Sequence, residues 1–408
     1  MYMTFMPAKP MLPQFAIDQT LAISVKPGGF MESQSGIQRR DPKIFCRLVG
    51  SGDRARDVFV LVHPTSNFHN HYLIAPLARR GATLLLVNTR YVANDSMLLM
   101  ERAMQDLGAA IRHLRQIGFG SITLIGNSGG GSLAALYQEQ AERLTITDTP
   151  DGRPIEIVPQ ELPPADRLAL VCAHPGRAEQ LLAKLDPCAD DRLDPWREDA
   201  ALNMFSPANG PPYASEWLAR YRAAQAARMA RIEDWVVARI AALDRTRSPE
   251  AADEAFVIHR TQADPRLLDL SIDRNDRKAG TIQGDARQAN FAANGLARFC
   301  TLRSFLSQWS VRYSRANGPR CLANTCVPVL VVNHTADQTT FPSQIDAWMT
   351  AAKGRGLRYD LIGAPHYADD RPELVEELAD VLNTWSRHGW LHQQSPSPNP
   401  EPHKGVLK

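Results

Sequence analysis

The chain has 408 residues, 44% of them hydrophobic and 22% charged, and its 46 basic and 44 acidic side chains leave a formal net charge of +2. That length supports one large catalytic domain with an insertion, or two domains. Near-neutral charge gives no electrostatic basis for a nucleic-acid or anionic-membrane partner, and no apolar run approaches the roughly 20 residues of a membrane span.

The opening segment, MYMTFMPAKPMLPQFAIDQT, lacks the basic start, apolar run and small-residue cleavage site of a secretory signal. The cysteines Cys46, Cys172, Cys188, Cys300, Cys321 and Cys326 form no CxxC pair and no short His/Cys cluster. Buried free thiols in a reducing cytoplasm are expected, with no metal and no cofactor implied.

Short apolar runs at Val58–Val62, Ala82–Val87, Ile122–Ile125, Leu168–Cys172, Val327–Val332 and Tyr359–Ile362 show little alternation with polar residues, as in parallel strands covered on both faces. Helical spacing lies between them, over Leu98–Ile117, Ser132–Leu144 and Pro372–Trp385. This alternation predicts an α/β fold with a mostly parallel, doubly wound sheet. Thr145–Val158, with turn chemistry at Pro150-Asp151-Gly152, is expected to form a surface hairpin.

The alternation breaks between His174 and Asn324, a stretch of about 150 residues and therefore domain-sized. Ser215–Leu243 is expected to be a long helix after Pro211-Pro212, and Asn290–Trp309 another. The second carries Phe299, Leu302, Phe305, Leu306 and Trp309 as an apolar stripe. Ordinary core packing explains such a stripe; a pocket lining or a homodimer face are its functional alternatives. Arg220, Arg222, Arg228 and Arg231 on the long helix fit a solvated face, although an acidic substrate could use some of them. Ser248–Gly284 is polar and expected to be loop. The expected division is a core half at 1–173, a helical cap at 174–325, the second core half at 326–392, and a disordered, Pro- and Ser-rich tail at 393–408.

The strongest local signal is Gly126-Asn127-Ser128-Gly129-Gly130. It matches G-x-S-x-G, and the required context is present: the strand Ser121–Ile125 runs in and a helix from Gly131 runs out. A phosphate-binding loop would need a Gly-Lys-Ser/Thr ending, and a dinucleotide loop a glycine where Ser128 stands. Ser128 is thus the candidate nucleophile, with the Gly129 amide, at the helix start, as one oxyanion donor.

A serine hydroxyl needs a base and a group to orient that base, in the chain order Ser, acid, His. Asp337 follows the strand ending at Asn333, and His366 follows the strand ending at Ile362. Both stand at the sheet edge expected for Ser128. Asp337 is the candidate acid and His366 the candidate base. An N-cap or turn role is the alternative for Asp337, a polar loop role for His366. His334 lies too near its strand to be the preferred base, and Asp369 and Asp370 come after His366. After the strand Val58–Val62 comes His63-Pro64-Thr65-Ser66. Pro64 has no N–H, so the Thr65 amide, or less favourably Ser66, is the expected second oxyanion donor. His63 is expected to brace this loop, and His69 and His71 to lie in a pocket wall or an exposed helix start.

On His63-Pro64-Thr65, Gly126–Gly130, Asp337 and His366, the chain resembles the α/β-hydrolase superfamily over about Phe45–Cys172 and Cys326–Arg387. The superfamily often has His-Gly where His63-Pro64 stands. The resemblance implies that fold, with a cap inserted between the sixth and seventh strands. It also implies acyl transfer to water on a small-molecule substrate, a carboxylic ester first. Lactones, thioesters and C–C bonds would use the same residues, and an inactive binding or scaffold protein is the alternative of another class.

Overall fold

In a computed structural model that describes residues 15–28, 41–189, 196–248 and 252–389, the six apolar runs become strands of one eight-stranded sheet, the first five in its interior and the last at an edge. Its strands, in chain order, are β1 (Ile17–Ser24), β2 (Lys43–Gly50), β3 (Val58–His63), β4 (Thr83–Asn88), β5 (Ile122–Asn127) and β6 (Arg167–Val171). A separate short pair, β7 (Ala255–Val257) and β8 (Phe299–Thr301), comes next, and β9 (Val329–His334) and β10 (Gly356–Leu361) complete the sheet. The spatial order is β1-β2-β4-β3-β5-β6-β9-β10. β1 and β2 are antiparallel to their neighbours, and from β4 to β10 every pairing is parallel.

Burial explains which strands stood out. β3 to β6 and β9 are buried almost throughout, because helices cover both faces of a parallel sheet. On one face, Leu107 and Ile111 of the helix Met100–Gln116 and Leu133 and Leu136 of the helix Gly130–Glu142 pack on Val60 and Leu124. On the other, Leu77 of the helix Ile74–Arg79 and Leu378, Leu382 and Trp385 of the helix Pro372–His388 pack on Leu61, Leu84 and Val332. β1 sits at the edge, mostly exposed, and β2 alternates exposed and buried positions, with Phe45 on the open side.

Between β6 and β9 the long helix Ser215–Thr246 appears as expected. Its Ile232, Val236 and Ile240 pack with Leu181 of the helix Arg177–Lys184 and with Phe305 and Leu306. Asn290–Trp309 is not one helix. A helix ends at Phe291, Ala297 turns to φ +54°, β8 follows, and a new helix runs over Leu302–Gln308. Thr301 starts that helix: its hydroxyl accepts from Ser304 N–H (3.3 Å), and Ser304 Oγ accepts from Thr301 N–H (3.1 Å). This reciprocal cap lies inside the apolar pattern, so spacing alone ran through it. Leu302, Phe305, Leu306 and Trp309 are buried within the chain, which removes them as a dimer face, while Phe299 is 59% exposed. Arg228 also departs from the solvated-face expectation: it is buried and donates to the carbonyls of Asp186 (2.6 Å) and His259 (2.8 Å).

The 145–158 stretch closes a tight turn, with a single bridge between Asp148 and Pro154. Ser248–Gly284 is irregular in its described part apart from β7 and a short turn at Pro265–Leu267. The 393–408 tail lies outside the described residues. Among the described residues no helix is long and apolar enough to cross a membrane.

Candidate active site

β5 delivers Ser128 into a turn that only glycine permits on either side. A Cβ on Gly126 would stand 2.7 Å from Gly131 Cα, and one on Gly130 would overlap the Val62 carbonyl oxygen. Ser128 itself has φ +53°, a left-handed conformation that a side chain rarely adopts. Its N–H donates to Val171 O (3.0 Å), which locks the turn to β6. Gly130→Ala must displace β3 or the turn. It is expected to cost about 3 kcal/mol or more of stability, seen as a lowered unfolding midpoint by circular dichroism.

β9 and β10 end beside this turn. The His366 ring places Nε2 2.9 Å from Ser128 Oγ and Nδ1 2.7 Å from Asp337 Oδ2. An ionised carboxylate only accepts, so the proton sits on Nδ1 and the Nε2 lone pair faces the serine hydroxyl. Asp337 also performs the turn role weighed against catalysis. Its Oδ1 accepts from the amides of Thr339 (2.6 Å) and Thr340 (3.1 Å), while Oδ2 takes the imidazole. Burial alone would raise the Asp337 carboxyl, but the adjacent His366 and these N–H donors outweigh it and hold it below its ordinary value.

Neighbours steady the base. His334 Nδ1–H donates to Pro365 O (2.8 Å), so this rival imidazole supports the His366 loop. The Cys172 thiol, kept protonated by burial, donates to His366 O (3.7 Å). The Cys172–Asp337–His366 cluster therefore consists of the acid–base pair and one supporting thiol.

The loop after β3 carries Thr65, the expected second oxyanion donor, beside His63. Thr65 N–H donates to His63 Nδ1 (3.1 Å), and so does Ser66 N–H (2.8 Å). The Thr65 amide is thereby engaged within its own loop, which His63 braces. With Nδ1 accepting two backbone donors, the His63 proton must reside on Nε2. That nitrogen lies 2.7 Å from the point where a Cβ on Gly129 would stand, with His174 Nε2 3.3 Å from the same point. Desolvation, with Arg177 and His366 close by, pushes His63 down to about 3, so the ring is neutral. His69 and His71 take no part: His69 Nε2–H donates to Phe45 O (3.1 Å), and His71 is packed between Phe68 and Tyr72.

A cavity of about 240 Å³ opens from Ser128 and His366 and is roofed by Leu296 and Trp309 of the segment between β6 and β9. A larger hollow of about 550 Å³, beside Arg228 and Trp235, reaches none of these groups.

Neither a scan of protein-family models nor a search of curated proteins finds a match. Among solved structures, a carboxyl esterase from Tuber melanosporum is 11% identical, covers 94% of this chain and 89% of its own, and has a TM-score of 0.45. An esterase domain from Rhodothermus marinus is 13% identical, with 91% and 98% covered and a TM-score of 0.44. A monoacylglycerol lipase from Paleococcus ferrophilus is 15% identical, with 84% and 98% covered and a TM-score of 0.42. Strand order, antiparallel β2 and the Ser128 turn between β5 and its helix together establish that this chain has the α/β-hydrolase fold.

Proposed function

We propose that the protein is a serine hydrolase acting on ester bonds, with Ser128 as nucleophile, His366 as base and acid, and Asp337 as orienting carboxylate. The observation carrying this reading is the unbroken hydrogen-bond chain Ser128–His366–Asp337 at the mouth of a cavity. His366 Nε2 takes the hydroxyl proton as Ser128 Oγ adds to the substrate carbonyl, and Asp337 stabilises the resulting imidazolium. The proton then passes to the leaving alcohol, the acyl-enzyme forms, and water reverses the sequence. Short esters are the first substrate class. Lactones, thioesters and C–C bonds would call on the same groups. In this reading 174–325 acts as a cap, and the unpaired thiols suit a cytoplasmic setting.

For the oxyanion, Gly129 N–H is one donor, and the neutral His63 Nε2–H replaces the Thr65 amide as the other. A neutral N–H donor beside the reacting carbonyl strengthens as charge develops on oxygen. His63→Phe is expected to lower kcat about 10²- to 10³-fold with a smaller change in KM. An unchanged kcat would return the role to a backbone amide. The reading as a whole is tested with a fluorophosphonate probe and short p-nitrophenyl esters. Turnover with one adduct, on Ser128 by mass spectrometry, is expected. Folded protein giving neither would reject catalysis and favour a binding protein.

A further inference from the structure

Helix Arg177–Lys184 turns one polar face to the cavity. Arg177, Gln180 and Lys184, at spacings of three and four residues, all line it together with Ser128. The two cations differ in one respect. Arg177 is ion-paired with Asp95 and stacked on the Trp309 ring at 4.2 Å. Lys184 is only 5% exposed, and among the described residues its ammonium makes no hydrogen bond and no ion pair. Asp95, already paired with Arg177, is the acid of the cavity wall, so the wall carries one uncompensated positive charge.

A buried ammonium without a counterion is costly. Desolvation pushes Lys184 down to about 8; Asp264 and Asp337 favour its charge from a distance and Arg266 opposes it. A lysine placed for structure alone would be expected to have a close carboxylate or carbonyl. Here the partner position opens into the cavity that holds the nucleophile. Beside the Arg177–Asp95 pair, Gln180, Gln262, Thr281, Gln283 and Gln338 offer neutral amide and hydroxyl groups to the cavity. A volume of about 240 Å³ is below the usual range for drug-sized ligands.

We propose that Lys184 is a specificity-determining residue that pairs with a carboxylate of the substrate, so that the protein hydrolyses short esters bearing one additional carboxylate. One cation without a close counterion, next to the Arg177–Asp95 pair, matches a single negative charge, and a cavity of this size suits a short substrate. This rests on the serine-hydrolase reading for the reaction, though not for the binding of the anion.

The test compares p-nitrophenyl hemiglutarate, with the carboxylate on the acyl side, and 3-carboxyphenyl butyrate, with it on the alcohol side, each against its uncharged counterpart. Wild type is expected to prefer the charged member of at least one pair in kcat/KM. Lys184→Met is expected to cut that preference at least about tenfold, carried by KM, and Lys184→Arg to restore most of it. A wild type with no preference in either pair, or a Lys184→Met variant that retains it, would overturn the proposal. In parallel, calorimetry measures glutarate binding to wild-type protein and to each variant. This arm is independent of turnover: if Ser128 proves unreactive, saturable glutarate binding that is lost in Lys184→Met still supports the anion site, and no binding to wild type rejects it. Should Lys184→Met fail to fold, glutarate binding by wild type and by Lys184→Arg decides the matter.

Discussion

Ser128→Ala is expected to abolish turnover of every ester the wild type accepts, with kcat falling by about 10⁵- to 10⁶-fold. The hydroxyl is the atom that forms the new bond. Its approach is set by φ +53° at Ser128 and by the 2.9 Å contact to His366, and among the described residues no other hydroxyl bonds to that imidazole. Alanine accepts the same backbone, and the turn's anchor, Ser128 N–H to Val171 O, uses no side-chain atom. Stability should therefore change little, and lost activity reports lost chemistry. The companion variant His366→Ala is expected to lose a comparable factor, and the double variant little more than either alone, because the two groups act as one unit. Kinetics on p-nitrophenyl esters with all three proteins, plus mass spectrometry for the fluorophosphonate adduct, measures this. Single-variant losses that multiply in the double variant would show Ser128 and His366 working independently and would reject the triad.

Much of this arrangement was legible in the chain itself. Parallel strands announce themselves where both faces are covered, as ahead of Ser128 and Asp337, while His366 follows the part-exposed edge strand β10. Topology then brings the ends of β5, β9 and β10 to one edge. β1 was not legible for the opposite reason: an exposed edge strand mixes polar and apolar residues, as loops do. The helix break at Ala297 was hidden because Thr301 and Ser304, which cap the new helix, fell between apolar residues of suitable spacing.

The two surprises in the site have a common origin. His63 and Lys184 are defined by what their side chains meet after folding. Proline at position 64 marks a missing N–H, but nothing in the chain order marks the imidazole whose Nδ1 draws in the Thr65 and Ser66 amides. Lysine at the end of an amphipathic helix suggests a solvated, dipole-favoured position. Only the packing of that helix under Trp309 and beside Gln262 turns it inward. Backbone pattern and chain order are local or sequential properties; the direction of a polar side chain within a cavity is neither.

Asp337→Asn is the second large expected effect, a loss of about 10⁴ in kcat, or about 5.5 kcal/mol of transition-state stabilisation. The amide is nearly isosteric, and its oxygen can still accept from Thr339 and Thr340 as Oδ1 does now. The NH₂ group then faces His366 Nδ1 and can only donate. The imidazole proton must move to Nε2, where it points at Ser128 Oγ and the base is lost, although the distances barely change. The same substitution carries a stability signature. The folded-state Asp337 carboxyl is held below its ordinary value by His366 and the neighbouring amides, so its ionised form contributes stability above the unfolded-state value. That contribution disappears as pH falls through the lower, folded value. Wild type should therefore exceed Asp337→Asn in unfolding midpoint most clearly near neutral pH, with the gap shrinking on acidification below about 4. Thermal melts across that range test the electrostatic part. A kcat loss of 10⁴ with the gap unchanged by pH would place the effect of Asp337 in geometry alone. A small kcat loss would mean that His366 is held in the correct tautomer by another group, for which the Pro365 and Cys172 contacts around its backbone offer no candidate.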